Sequence, residues 1–146
     1  MSTGILGTRA GLVADINLIL QIAILLVLAI GIFQAKRRNF NVHRTLMTAV
    51  VIANAVLIVA IMNPSFFRVL PFALRHPGAP GPTVLWPHIL IGTLAELMGI
   101  YIVLSMKLEM PKSLRIRNTK WLMRITFFLW AVALAVGIAM YFVWYT

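Results

Sequence analysis

The sequence predicts an all-α integral membrane protein: a four-helix bundle with both termini on the outer side of the membrane. Three observations carry this. Apolar residues make up 62% of the 146 and charged residues only 11%, whereas a soluble domain uses roughly 25% charge to cover its surface. Four apolar segments approach the ~20 residues that a helix needs to cross a bilayer. Ten of the thirteen Lys and Arg residues sit in two blocks between those segments, as cytoplasmic loops do. The composition excludes a soluble enzyme, a disordered tail and a nucleic-acid-binding module. With no cysteine, disulfides, thiolate metal sites and a cysteine nucleophile are excluded too.

Residues 1–15 carry Gly4, Gly7 and Gly11 with one charge pair, Arg9 and Asp15. They read as a short flexible or interfacial lead-in, with Asp15 placed to cap the first helix from outside. The basic cluster follows the first apolar run instead of preceding it, so the N-terminus is not a cleavable signal. The first span is Ile16–Ala35, with Asn17 and Gln21 its main polar members. The second is Thr45–Met62, interrupted by Asn54. The third, Val84–Met106, contains His88 and Glu96, and the fourth, Ile125–Thr146, carries no charge. None alternates as a barrel strand would, and a helix is what remains to satisfy the backbone in lipid. The whole chain is therefore one transmembrane domain, with spans at 16–35, 45–62, 84–106 and 125–146.

Lys36, Arg37, Arg38 and Arg44 lie between spans one and two. Lys107, Lys112, Arg115, Arg117, Lys120 and Arg124 lie between spans three and four. Arg9, Arg68 and Arg75 are on the other side. This asymmetry puts both basic loops in the cytoplasm and both termini outside. The net charge of +10 is then a cytoplasmic collar facing lipid head groups, with no nucleic acid involved. Asn63–Thr83 is expected to be an outer loop. Its stretch 76–82 is too rich in Pro and Gly for helix or strand, and its apolar middle, Phe66–Phe72, belongs at the membrane interface as a connector, a lid or a docking surface. Pro111 stops the third span, and Ser113–Arg124 is a candidate interfacial helix. Trp86, Trp121 and Trp144 mark span ends, while Trp130 lies deeper in the bundle.

Small residues recur at helical spacing on two spans: Gly92, Ala95 and Gly99 on the third, Ala131, Ala135 and Ala139 on the fourth. Such stripes let helices approach closely in lipid. Glu96 stands near mid-span, where an ionised carboxylate costs at least ~2.5 kcal/mol. It should be neutral or paired and should face the interior, with Asn54 and Gln21 as interhelical partners at similar depth. Its roles range from a plain interhelical hydrogen bond to proton handling or cofactor contact. The histidines are spread out. His43 opens span two at the cytoplasmic boundary, His88 lies one turn into span three from outside, and His76 is in the outer loop. A bis-histidine haem needs two imidazoles at one depth; His43 and His88 are ~25 Å apart by helical rise. His88 and His76 meet only if the proline-rich loop folds back. Candidate cofactor contacts are thus His88, His76 and Glu96, toward haem b or a quinone, beside the plainer reading of hydrogen-bonded interfacial histidines. No catalytic constellation is visible, which points to a non-enzymatic role.

The string Asn41-Val42-His43-Arg44-Thr45-Leu46-Met47, with His88-Ile89-Leu90 and Lys120-Trp121, resembles the bacterial four-helix membrane family called domain of unknown function 420. Some of its members are cytochrome oxidase assembly factors of the CtaM type. The resemblance covers roughly residues 15–145 in spacing. It matches His43 and His88 to family histidines; a further family histidine ahead of the last helix is replaced here by the run Arg117-Asn118-Thr119-Lys120. It implies an accessory or assembly role in a respiratory membrane complex, with other membrane subunits as partners, in the prokaryotic cytoplasmic membrane. A haem- or quinone-binding electron-transfer subunit and a small oligomeric transporter using Glu96 are the alternatives.

Overall fold

A computed structural model describes residues 4–108, 111 and 116–146. Five α-helices follow in order: α1 (Leu12–Lys36), α2 (Phe40–Leu57), α3 (Asn63–Arg75), α4 (Pro80–Lys107) and α5 (Thr119–Tyr145), with a π-helical turn at Ile58–Met62 joining α2 to α3. Among the described residues there is no strand. Four helical runs are long and apolar enough to cross a membrane: Leu12–Lys36, Phe40–Arg75, Pro80–Lys107 and Thr119–Tyr145. The main contacts run α1 to α2, α2 to α4, α4 to α5 and α5 back to α1, closing a four-membered ring; α4 with α5 is the most extensive pair.

The centre of the ring is built from Leu28, Val50, Val51, Ala95 and Trp130. Glycine makes it tight. A Cβ on Gly99 would stand 3.1 Å from Val51 and 3.5 Å from the Trp130 ring, and one on Gly31 would collide with Met47. Outside, large apolar side chains stand open: Val59 is 68% exposed, Phe128 65%, Leu26 60% and Leu97 58%. Their total extent far exceeds what a water-facing monomer displays.

Several expectations are corrected. Residues 63–75 are helical, not loop, and the run Phe40–Arg75 is 36 residues long, about 54 Å at the helical rise, well beyond the ~30 Å of a hydrocarbon core. Pro64, Pro80 and Pro82 misled because they occupy tolerated places, while Pro71 is carried inside α3. Pro64 stands in the first turn of α3, directly after the π turn; without an N–H it cannot continue the i→i−4 ladder, and the widened turn absorbs the break. Pro80 and Pro82 lie in the first turn of α4, where their missing N–H groups have no helical partner to lose. Only 76–79 separates the two helices. Phe66 meets Trp86 edge-on at 6.3 Å and Phe72 meets Trp144 at 5.8 Å, so α3 leans on the N-terminal end of α4 and the C-terminal end of α5.

The lead-in is tied down from Gly4 onward. The Arg9 N–H donates to the Tyr145 carbonyl at 3.1 Å and that of Gly4 to Ala10 at 3.0 Å. Asp15 does not cap α1, whose N-cap is Gly11; it lies in the first helical turn and turns back to the lead-in. Among the described residues no separate interfacial helix stands ahead of α5: residues 116–118 are non-helical and Thr119–Arg124 belong to α5, while Ser113–Arg115 lie outside the described residues.

The stripe Ala131, Ala135 and Ala139 does not pack the bundle, since Ala135 and Ala139 are exposed and the buried face of α5 holds Leu122, Thr126, Trp130, Ala133 and Tyr141. On α4, Ala95 and Gly99 are buried, but Gly92 has open space beside it. Lipid-facing and interior faces are equally apolar in such helices, so small residues alone do not tell which side is inside.

Candidate functional site

Glu96 is buried mid-way along α4, with 6% exposure. Its Oε2 accepts from Asn54 Nδ2 on α2 at 2.7 Å, and Asn54 Oδ1 accepts from Gln21 Nε2 on α1 at 2.9 Å. Three helices are thereby joined by one chain of hydrogen bonds. By helical rise, Gln21 stands about 22 Å from Lys36, Asn54 about 21 Å from Phe40 and Glu96 about 17 Å from Lys107, so the chain crosses near the middle. Every N–H in it points toward the carboxyl group. Among the described residues, Glu96 Oε1 has no hydrogen-bond partner, and neither has Asn17 Oδ1, one turn before Gln21 on α1; both atoms are buried. Trp130 Nε1 is a third buried atom without one.

The histidines are placed apart. His43 Nδ1 is 2.8 Å from the Gly31 carbonyl and His88 Nδ1 is 2.9 Å from the Ala133 carbonyl. A carbonyl only accepts, so Nδ1 carries the proton in both rings, and in the neutral form the lone pair sits on Nε2. By helical rise the two stand about 24 Å apart along the bundle. The His88 ring lies on Gly137, where a Cβ would come within 2.9 Å of Cε1. His76 stacks instead on Phe72, with 4.9 Å between ring centroids. The structure thus gives His76 and His88 separate partners, and neither contacts Glu96. Among the described residues no three His, Asp or Glu side chains converge.

A cavity of about 60 Å³ lies between the helices, lined by His43, Met47, Gly99, Thr126 and Trp130 among others. Another, of about 150 Å³, lies by Arg44, Tyr101, Ser105, Ile116 and Thr119 at the basic end. Small-molecule sites occupy about 300–1,000 Å³, so neither cavity fits a porphyrin.

A second buried polar cluster escaped the sequence reading. Asp15 is fully buried. It accepts from the Leu6 N–H at 2.9 Å and from the Tyr141 hydroxyl, and that hydroxyl is also 2.6 Å from Thr8 Oγ1. A Cβ on Gly4 would run into the Asp15 carboxylate. The one available signal was the pair of polar residues, Asp15 and Tyr141, at the same end of otherwise apolar spans. No family model, curated protein or solved structure matches the chain, so its assignment rests on these residues and their geometry.

Proposed function

We propose that this is a multi-pass integral membrane protein that works without chemistry of its own, as an accessory or assembly subunit docking other membrane helices. Both termini lie outside and the two basic ends face the cytoplasm; the ten-to-three division of Lys and Arg supports this orientation. The observation that carries the docking role is the outward face of α5. Ala135 and Ala139 are exposed there, one helical turn apart, and a smooth small-residue face brings a neighbouring backbone close in lipid. Gly92 on α4, open to its surroundings, adds a second such place. The resemblance to the oxidase-assembly family supports a respiratory complex of the prokaryotic cytoplasmic membrane as the setting.

Extraction in mild detergent, followed by identification of co-purifying chains, tests the proposal. Respiratory membrane subunits should co-purify with the parent protein and be lost with Ala135→Leu and Ala139→Leu, which put bulk on that face. Unchanged recovery with both variants removes α5 as the docking face. A second reading, a quinol site, is favoured by the fixed tautomer of His88, which leaves Nε2 to accept a hydrogen bond from a quinol hydroxyl. Quinol that co-purifies with the parent but not with His88→Leu would support it.

A further inference from the structure

The hydrogen-bond chain Gln21–Asn54–Glu96 has a direction, and the direction can reverse. As it stands, Gln21 donates to Asn54 and Asn54 donates to Glu96. That arrangement suits a carboxylate, since every donor points at it. It leaves two faults. Among the described residues, Glu96 Oε1 has no partner and Asn17 Oδ1 has none either. Asn17 lies four residues before Gln21 on α1, and such pairs are neighbours on one helix face. An unpaired ion in an apolar interior is expensive and tends to neutralise.

We propose that Glu96 is a reversible proton-binding site and that binding the proton reverses this chain. With the acid formed, Glu96 donates its O–H to Asn54 Oδ1. The Asn54 amide turns over and donates Nδ2 to Gln21 Oε1. The Gln21 amide turns over in step and points Nε2 at Asn17 Oδ1. The bare acceptor on α1 gains a donor, and the site keeps a neutral carbonyl oxygen in place of an unpaired charge. Amide reversal exchanges O and N in nearly the same envelope, so the helices need not move apart. Four other titratable side chains of the helices are engaged away from Glu96: Asp15 with Tyr141 and Leu6, His43 with Gly31, His88 with Ala133, and Tyr101 with Ile116. The hydrogen bond made to Glu96 comes from an amide, that of Asn54. Asn17 marks the reversed state, because only that state uses its oxygen.

The test is labelling by dicyclohexylcarbodiimide in lipid vesicles, read by peptide mass spectrometry. The reagent partitions into lipid and needs the protonated carboxyl. The O–H adds across one C=N bond, the proton ends on nitrogen, and the O-acylisourea rearranges to a stable N-acylurea with nothing lost. The chain has three carboxylic side chains, Asp15, Glu96 and Glu109, so peptides separate the sites. Glu96 should be labelled in the parent and the adduct on its peptide should vanish in Glu96→Gln. In the pH range over which parent labelling falls, Asn17→Ala should slow labelling about fivefold, the worth of one net hydrogen bond. Asn17→Leu should do the same, and circular dichroism verifies the fold of each variant. Absence of Glu96 labelling at every pH overturns the proton site. Parent-like labelling in folded Asn17 variants overturns the reversal.

Discussion

Asn54 does the most at the scale of single residues, because it is the middle of the chain that joins α1, α2 and α4. Asn54→Leu removes both hydrogen bonds and strands Gln21 Nε2 and Glu96 Oε2. Interhelical hydrogen bonds in membranes are worth about 0.6–2 kcal/mol each, so thermal unfolding in detergent should show a loss of about 1–3 kcal/mol. Glu96→Gln keeps the shape and an oxygen for Asn54 Nδ2 and should unfold like the parent. Gly137 is a second pressure point. Its Cβ would press on the His88 ring, and overpacking of this kind costs about 1–3 kcal/mol. Gly137→Ala should therefore destabilise the parent but not His88→Ala, where the ring is gone; equal effects in both backgrounds would contradict the contact. Glu96 with Asn54 and Gln21 was legible in the sequence because polar residues are rare in these spans and share a depth. Asp15 with Tyr141 was not, because 126 positions separate them and nothing local selects the pair.

Helices are the scale at which the sequence was both clearest and most misleading. Hydropathy alone marked four apolar runs, since ~20 apolar residues have few other fates. It failed on α3. Pro64 and Pro71 read as breakers, yet Pro64 sits where the π turn relieves it, and Pro71 is carried inside the helix. Packing of Phe66 on Trp86 and Phe72 on Trp144 supplies what local propensity lacks. A double-mutant cycle of Phe72→Ala and Trp144→Ala should show a coupling of about 0.5–1.5 kcal/mol in thermal unfolding; strictly additive losses would contradict this contact between α3 and α5. The lead-in gives a parallel case. Tyr141→Phe removes the hydroxyl shared by Asp15 and Thr8, so amide exchange at Leu6 and Arg9 should quicken, while exchange in the middle of α4 stays at the parent rate. Faster exchange throughout would show that the clamp supports the whole bundle.

The whole molecule is a ring of four apolar helices with polar chemistry in two layers: the Asp15–Tyr141–Thr8 clamp at the end bearing the termini, and the Gln21–Asn54–Glu96 chain at mid-height. The basic collar lies at the opposite end, with Arg37 folded over Phe33 at 4.4 Å and Arg44 beside the larger cavity. Docking on the α5 face, quinol contact at His88 and proton binding at Glu96 all presuppose that this ring sits in a bilayer with its collar in the cytoplasm. Single cysteines at Ile5, Leu108 and Thr146, each introduced into the cysteine-free chain, test that directly with a membrane-impermeant thiol reagent. Ile5→Cys and Thr146→Cys should be labelled in intact cells, and Leu108→Cys only after the membrane is opened. Labelling of Leu108→Cys in intact cells, with the other two protected, would contradict that orientation.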